Sequence, residues 1–325
     1  MVALLRILIA LGLFKGLWEL LSSGRTSLIS SKSNCNEDFL MFNKNLNIPK
    51  YKLRNLKRAR KTLQRIIKDY FKEHPDFSIP RFATQGSYVS GTIVRNEQDL
   101  CDFDVGIYFF TKPHVKYETI QNHVKRALNG HTTAGIILMS KCIRLKYRGD
   151  FHIDMPIYYT LDGKQFFLGS KGKDWEVCDS KHFKDWVKKN TQNSLQAVRV
   201  VRYFKAWADR YRSNKKIKMP SGLVFTIWVI QYYQPNKRDD VAFVHTAARI
   251  LKYLKDHFQS SWSCNMPVAP FDNVLDKLNT DQQANFYKAL EEVVKAGTEA
   301  LGKEDKASAQ RIWKGVFGKR FGKEN

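Results

Sequence analysis

Residues 101–110, CDFDVGIYFF, read as a β-strand in which Asp102 and Asp104 interrupt a run of Phe, Val, Ile and Tyr. Side chains two apart in a strand point to the same side, so the two carboxylates share one face while Phe103 and Val105 take the other. Like charges so placed repel unless a cation compensates them, and carboxylates are seldom withdrawn from water without a partner. The pattern recurs in FHIDMPIYY, where His152, Asp154 and Tyr158 share one face of a second apolar strand. A chain built this way must close around a positive charge.

An antiparallel neighbour bringing Asp154 beside Asp102 and Asp104 is expected to complete a cage of oxygen ligands. No His or Cys cluster accompanies the carboxylates, so the donor set favours Mg²⁺, with Mn²⁺ as the other choice. Two such ions suit in-line displacement at phosphorus, one activating the attacking hydroxyl and one stabilising the leaving pyrophosphate. Upstream, Gly86-Ser87 forms a turn whose backbone N–H groups and hydroxyl can meet phosphate oxygens, because glycine lets the backbone come close. No Walker A, GxGxxG or HExxH pattern competes with this constellation.

The composition agrees with a polyanionic substrate or partner. Among 325 residues, 55 Lys and Arg stand against 31 Asp and Glu, for a formal charge of +24. With 43% apolar and 13% aromatic residues the chain can build a sizeable core. Its five cysteines are odd in number and contain no CxxC pair, which excludes a disulfide framework or zinc ribbon. Cys178 and His182 have a ligand-like spacing but no second pair beside them. Free thiols suit a reducing cytoplasm.

Residues 1–31 form an apolar extension broken by Arg6, Lys15 and Glu19, too short in its uncharged run to span a bilayer, which takes about 20 residues. SSGRTSLISSKSN then reads as a flexible linker. A helical stripe follows over 51–72, its opposite face carrying nine Lys or Arg and one acid, Asp69. That face points to nucleotide or nucleic acid nearby. Further along come a helix over 118–129 and a hairpin over 141–161 turning at Gly149-Asp150. Helices are expected at 180–189, 194–212, 221–233, 241–257 and 281–300. A strand-rich half followed by a helical half indicates an α+β lobe and then a helical lobe. The expected division is an extension over 1–34, a catalytic core with its spine helix over 35–190, and a helical lobe over 191–325.

The segments QGSYVSGT, DFDVGIYF, FHIDMPIYY, WEVCDSKHFKDW and RVVRYFKAWAD…MPSGLVFTIWV together resemble the CD-NTases, the bacterial cGAS/DncV-like nucleotidyltransferases of CBASS anti-phage defence. The resemblance covers roughly residues 38–320. It implies a DNA polymerase beta-like nucleotidyltransferase lobe with a long N-terminal spine helix, followed by a C-terminal helical lobe, with the active site between them. It implies a Mg-dependent enzyme that makes a cyclic di- or trinucleotide second messenger from NTPs, ATP and GTP among them. In that scheme Asp102 and Asp104 bind both metals, and Asp154 ligates one and helps deprotonate the acceptor hydroxyl. Gln85, Gly86 and Ser87 lie along the donor phosphates, Lys205 reaches the triphosphate, and Ser221 contacts phosphate from a helix N-terminus. The expected partners are an effector that senses the cyclic product and, further, nucleic acid or a CBASS accessory protein. The chain is expected to work as a monomer in the bacterial cytoplasm, with no membrane span. A linear oligonucleotide synthase, an RNA-tailing nucleotidyltransferase and an inactive nucleotide- or RNA-binding protein are the alternatives. The apolar extension has no counterpart in the family pattern, and the zinc ribbon of animal cGAS is missing.

Overall fold

The computed structural model describes residues 31–132, 134–148, 150–191, 194–257 and 262–322. The apolar stretch 1–30 and Gly149 of the expected turn lie outside them. Helix α1 (Asn36–Asn45) leads into the long basic helix α2 (Lys50–Lys72). Strand β1 (Arg81–Gln85), the single turn α3 (Gly86–Val89), β2 (Asp102–Phe109) and helix α4 (Tyr117–Ala127) follow. Then come β3 (Ile136–Leu138), β4 (Ile143–Tyr147), β5 (Phe151–Met155), β6 (Ile157–Tyr159), β7 (Phe167–Ser170) and β8 (Asp174–Val177). The rest is helical: α5 (Ser180–Thr191), α6 (Leu195–Lys215), α7 (Gly222–Tyr232), α8 (Asp239–Asp256), α9 (Thr280–Gly302) and α10 (Lys306–Phe317).

The strands form one mixed sheet in the order β3-β4-β5-β2-β6-β7-β8, with β1 on the other edge of β2. Strands β5 and β6 are one strand interrupted at Pro156, and both run parallel to β2. The expectation of an antiparallel neighbour for Asp102 and Asp104 is therefore corrected. Parallel strands need a crossover connection of a dozen or more residues, and α4 with the β3–β4 pair supplies it. Strand alternation sends Phe103, Val105, Leu145 and Ile153 to one face, where they are fully buried beneath α2 and α4.

Helix α2 buries Leu56, Leu63, Ile67 and Phe71, as its stripe predicts, together with Lys52. That lysine is withdrawn from water because its Nζ meets the Asp99 carboxylate at 2.7 Å and the Asp99 carbonyl at 2.6 Å. It thereby anchors the 90–100 loop to the helix.

The helical half gathers around a second core, and α1 belongs to it. Phe39 packs edge-on against Tyr203 and Trp313, with ring centres at 5.1 and 4.9 Å. Phe183 and Trp186 of α5 lie on the same core. Helix α1 packs with the helical lobe, while α5 lies between the two, touching β1 and the α3 turn as well as α6 and α7. Ser33, expected in a flexible linker, is buried and donates its hydroxyl to the Ala300 carbonyl at 2.8 Å. No helix among the described residues is long and apolar enough to cross a membrane.

Candidate active site

One lateral row of the sheet assembles the chemistry. Gln85 of β1 stands opposite Asp104 of β2, Asp104 beside Asp154 of β5, and Asp154 opposite Arg144 of β4. Neighbours in register project to the same face, which here is the face turned away from the α2–α4 core. Asp102, two residues earlier on β2, pairs with His152 in register, and the imidazole Nδ1 sits 3.1 Å from Asp102 Oδ1.

The row opens into a cleft of about 590 Å³ between the sheet and the helical lobe. Gln85, Gly86 and Ser87 line its sheet side together with all three carboxylates, and Lys205 of α6 with Gly222 of α7 line the opposite wall. Gly86 has φ +69, and a side chain there would collide with the Asp104 carboxylate, its Cγ only 2.7 Å from the added Cβ. The glycine of the Gly-Ser turn is thus required by Asp104 as well as by the backbone.

Burial, reinforced by the charges of Asp154 and Asp102, pushes the Asp104 carboxyl up to about 7, against the opposing pull of Lys205 and Arg144. Burial likewise pushes the Lys205 ammonium down to about 7, with Asp104 resisting. Lys205 is held by Thr92, donating to its hydroxyl at 2.9 Å and its carbonyl at 3.2 Å.

Other expected residues stand as follows. Gln85 spends its amide locally, donating to Tyr158 and accepting from Tyr108 at 2.8 Å. Ser221 caps α7, accepting from the Val224 N–H at 3.5 Å; it does not line the cleft, although Pro220 and Gly222 on either side do. The Cys178 thiol is pushed up to about 11 by burial, and His182 bonds Asp179 instead of turning toward it, so that pair forms no metal site.

Arg144 lies in the expected hairpin and is not among the expected site residues. Its Nε donates to Asp154 Oδ1 and its Nη2 to Oδ2, both at 2.7 Å, and Nη2 also lies 3.8 Å from Asp102 Oδ1. A two-residue turn at Gly149-Asp150 would pair residue 144 with 155; the observed register is one residue different, Tyr147 opposite Phe151 and Arg144 opposite Asp154, so counting back from the expected turn misses the contact.

The donor set fits a hard divalent ion in kind: three carboxylates, one of them crowded by the other two. Among the described residues, no three His, Cys, Asp or Glu side chains are yet drawn together tightly enough to hold one. Asp102 is more open than Asp154, its side chain being 59% exposed against 14%.

A family model described as "Cyclic GMP-AMP synthase DncV-like, nucleotidyltransferase domain" matches residues 80–158, from β1 to β6. The chain is 30% identical over 188 residues to a cyclic GMP-AMP synthase of Escherichia albertii, a match covering 54% of this chain and 42% of that protein. It is 38% identical over 187 residues to a cyclic AMP-AMP-AMP synthase of Escherichia coli MS 115-1, covering 53% of this chain and 57% of the other. It spans about half the length of these curated relatives. The crystal structure of the Vibrio cholerae DncV cyclic AMP-GMP synthase superposes with a TM-score of 0.75 at 16% identity, over 89% of this chain and 98% of that one. The fold is therefore the polymerase beta-like nucleotidyltransferase lobe with a helical C-terminal lobe. With that fold and a DncV-like nucleotidyltransferase domain over residues 80–158, built around its carboxylate row, the chain is similar to the CD-NTases.

Proposed function

We propose that the protein is a divalent-metal-dependent nucleotidyltransferase that joins NTPs, ATP or GTP among them, into a cyclic di- or trinucleotide. The observation that carries this reading is the convergence of Asp102, Asp104 and Asp154 on one cleft with the Gly86-Ser87 turn and Lys205. Gly86 and Ser87 cradle the donor phosphates, and Lys205 approaches them from the facing wall. Asp154 takes the proton of the acceptor hydroxyl as that oxygen bonds to the α-phosphorus and pyrophosphate leaves. Bound Mg²⁺ would be held by the three carboxylates and would supply the charge that keeps Asp104 ionised and offsets the phosphates.

The described residues hold a single such row, so every bond of the ring forms there, the linear intermediate re-entering with its free hydroxyl toward Asp154. The cleft volume falls in the range usual for small-molecule and cofactor sites, about 300–1,000 Å³. Mass spectrometry of products from purified protein, all four NTPs and Mg²⁺, before and after alkaline phosphatase, is the test. A cyclic product keeps every phosphate. Complete phosphatase sensitivity would establish the linear synthase or RNA-tailing reading, which the exposed Lys57 and Lys61 of α2 would serve by holding a nucleic acid. The released ring would act as a second messenger of anti-phage defence, sensed by a separate effector.

Lys205→Met tests the facing wall. Loss of one charge-assisted contact to phosphate, about 1.5–3 kcal/mol, is expected to lower kcat/KM by roughly ten- to a hundredfold. An unchanged kcat/KM would remove Lys205 from the site.

A further inference from the structure

Arg144 lies beside the candidate site without lining its cleft, and its guanidinium is spent on the carboxylates. Antiparallel register sets it opposite Asp154, and a fork of two parallel bonds at 2.7 Å grips both oxygens. A bidentate grip fixes the plane of a carboxylate whose terminal torsion is otherwise broad. Nη2 at 3.8 Å from Asp102 also brings the positive charge between two of the three acids. The hydrogen bonds to Asp154 hold the guanidinium above its ordinary value, so it remains charged throughout the working range.

We infer that Arg144 is a positioning residue: it orients Asp154 toward the acceptor hydroxyl and sets how strongly the carboxylate row binds a divalent cation. Two consequences follow from the geometry. A fixed positive charge touching Asp154 and near Asp102 repels an incoming cation, so it weakens binding that three uncompensated acids would make tight. The same fork leaves the outer lone pairs of Asp154 aimed in one direction, which a flexible amine cannot reproduce. Charge and fork are thus separable by substitution.

The kinetic half of this inference rests on the nucleotidyl-transfer reading; the metal half does not. Free Mn²⁺ is counted by its EPR signal against wild type, Arg144→Gln and Arg144→Lys in the absence of nucleotide, and kcat and KM are measured at saturating Mg²⁺. Loss of the charge in Arg144→Gln is expected to tighten Mn²⁺ binding about tenfold, and Arg144→Lys to bind as wild type does. Both variants are expected to lose about a hundredfold in kcat with little change in KM, since a misaimed group costs about that much. Equal Mn²⁺ affinity in wild type and Arg144→Gln overturns the inference. So does a raised KM at unchanged kcat, which would put Arg144 on the substrate, or a fully active lysine variant. Wild type that binds Mn²⁺ but transfers no nucleotide would sink the functional reading alone, and the Mn²⁺ comparison would still decide the role of Arg144.

Discussion

Asn in place of both Asp102 and Asp104 is expected to lower nucleotidyl transfer by at least about 10³-fold while leaving the fold intact. Both carboxylates lie on the cleft face of β2, and Phe103 and Val105 carry the strand's core packing on the other. The metal-free protein should at the same time become more stable. Asp104 has its folded value raised to about 7, far above an ordinary carboxylate. The folded state therefore binds its proton more tightly than the unfolded chain does, and stability declines as pH rises from about 4 to about 7. Three units correspond to at most about 4 kcal/mol, all of it relieved in the amide variant at pH 7 and above. Lys205 contributes with the opposite slope, its folded value being lowered to about 7, so that its share is lost as pH falls from about 10 toward 7. Melting curves in chelator at pH 5 and pH 8 read the Asp104 effect, and turnover assays read the first. Substantial turnover by a cleanly folded double variant would reject the assignment of the row.

Gly86→Ala should be nearly as damaging with a single methyl group. The residue sits at φ +69, where an L side chain costs about 1–2 kcal/mol, and the new Cβ would drive into the Asp104 carboxylate. Asp104 has little room to retreat, because β1 and β5 flank it in register. The expected outcome is a loss of about 2–3 kcal/mol in stability and at least about a hundredfold in turnover, since small displacements of reacting groups are that costly. Near-wild-type turnover in this variant would show that the turn does not set the position of Asp104.

The DFD strand was legible because burial and alternation are local: two acids at a spacing of two within an apolar run have one geometric meaning. Helix α2 was legible for the same reason, its stripe reappearing as Leu56, Leu63, Ile67 and Phe71. What escaped depends on pairing between distant segments. Lys52 looked like one of nine solvated bases until the 90–100 loop brought Asp99 to it. Thr92 stands at the end of the QGSYVSGT segment, but nothing local pairs it with Lys205, 113 residues further on. The direction of β5 relative to β2 was readable in principle, since the intervening helix implies a crossover, but strand alternation alone is the same in either direction. The assignment of α1 failed because an amphipathic helix shows that it packs, not against what.

The packing of α1 on the helical core means that the chain passes between the lobes twice, at Leu46–Pro49 and again at Val177–Ser180. The 90–100 loop adds a third link, tied to α2 through Lys52 and to α6 through Lys205 and Asp209. The two walls of the cleft are thereby bonded to one another beside the carboxylate row.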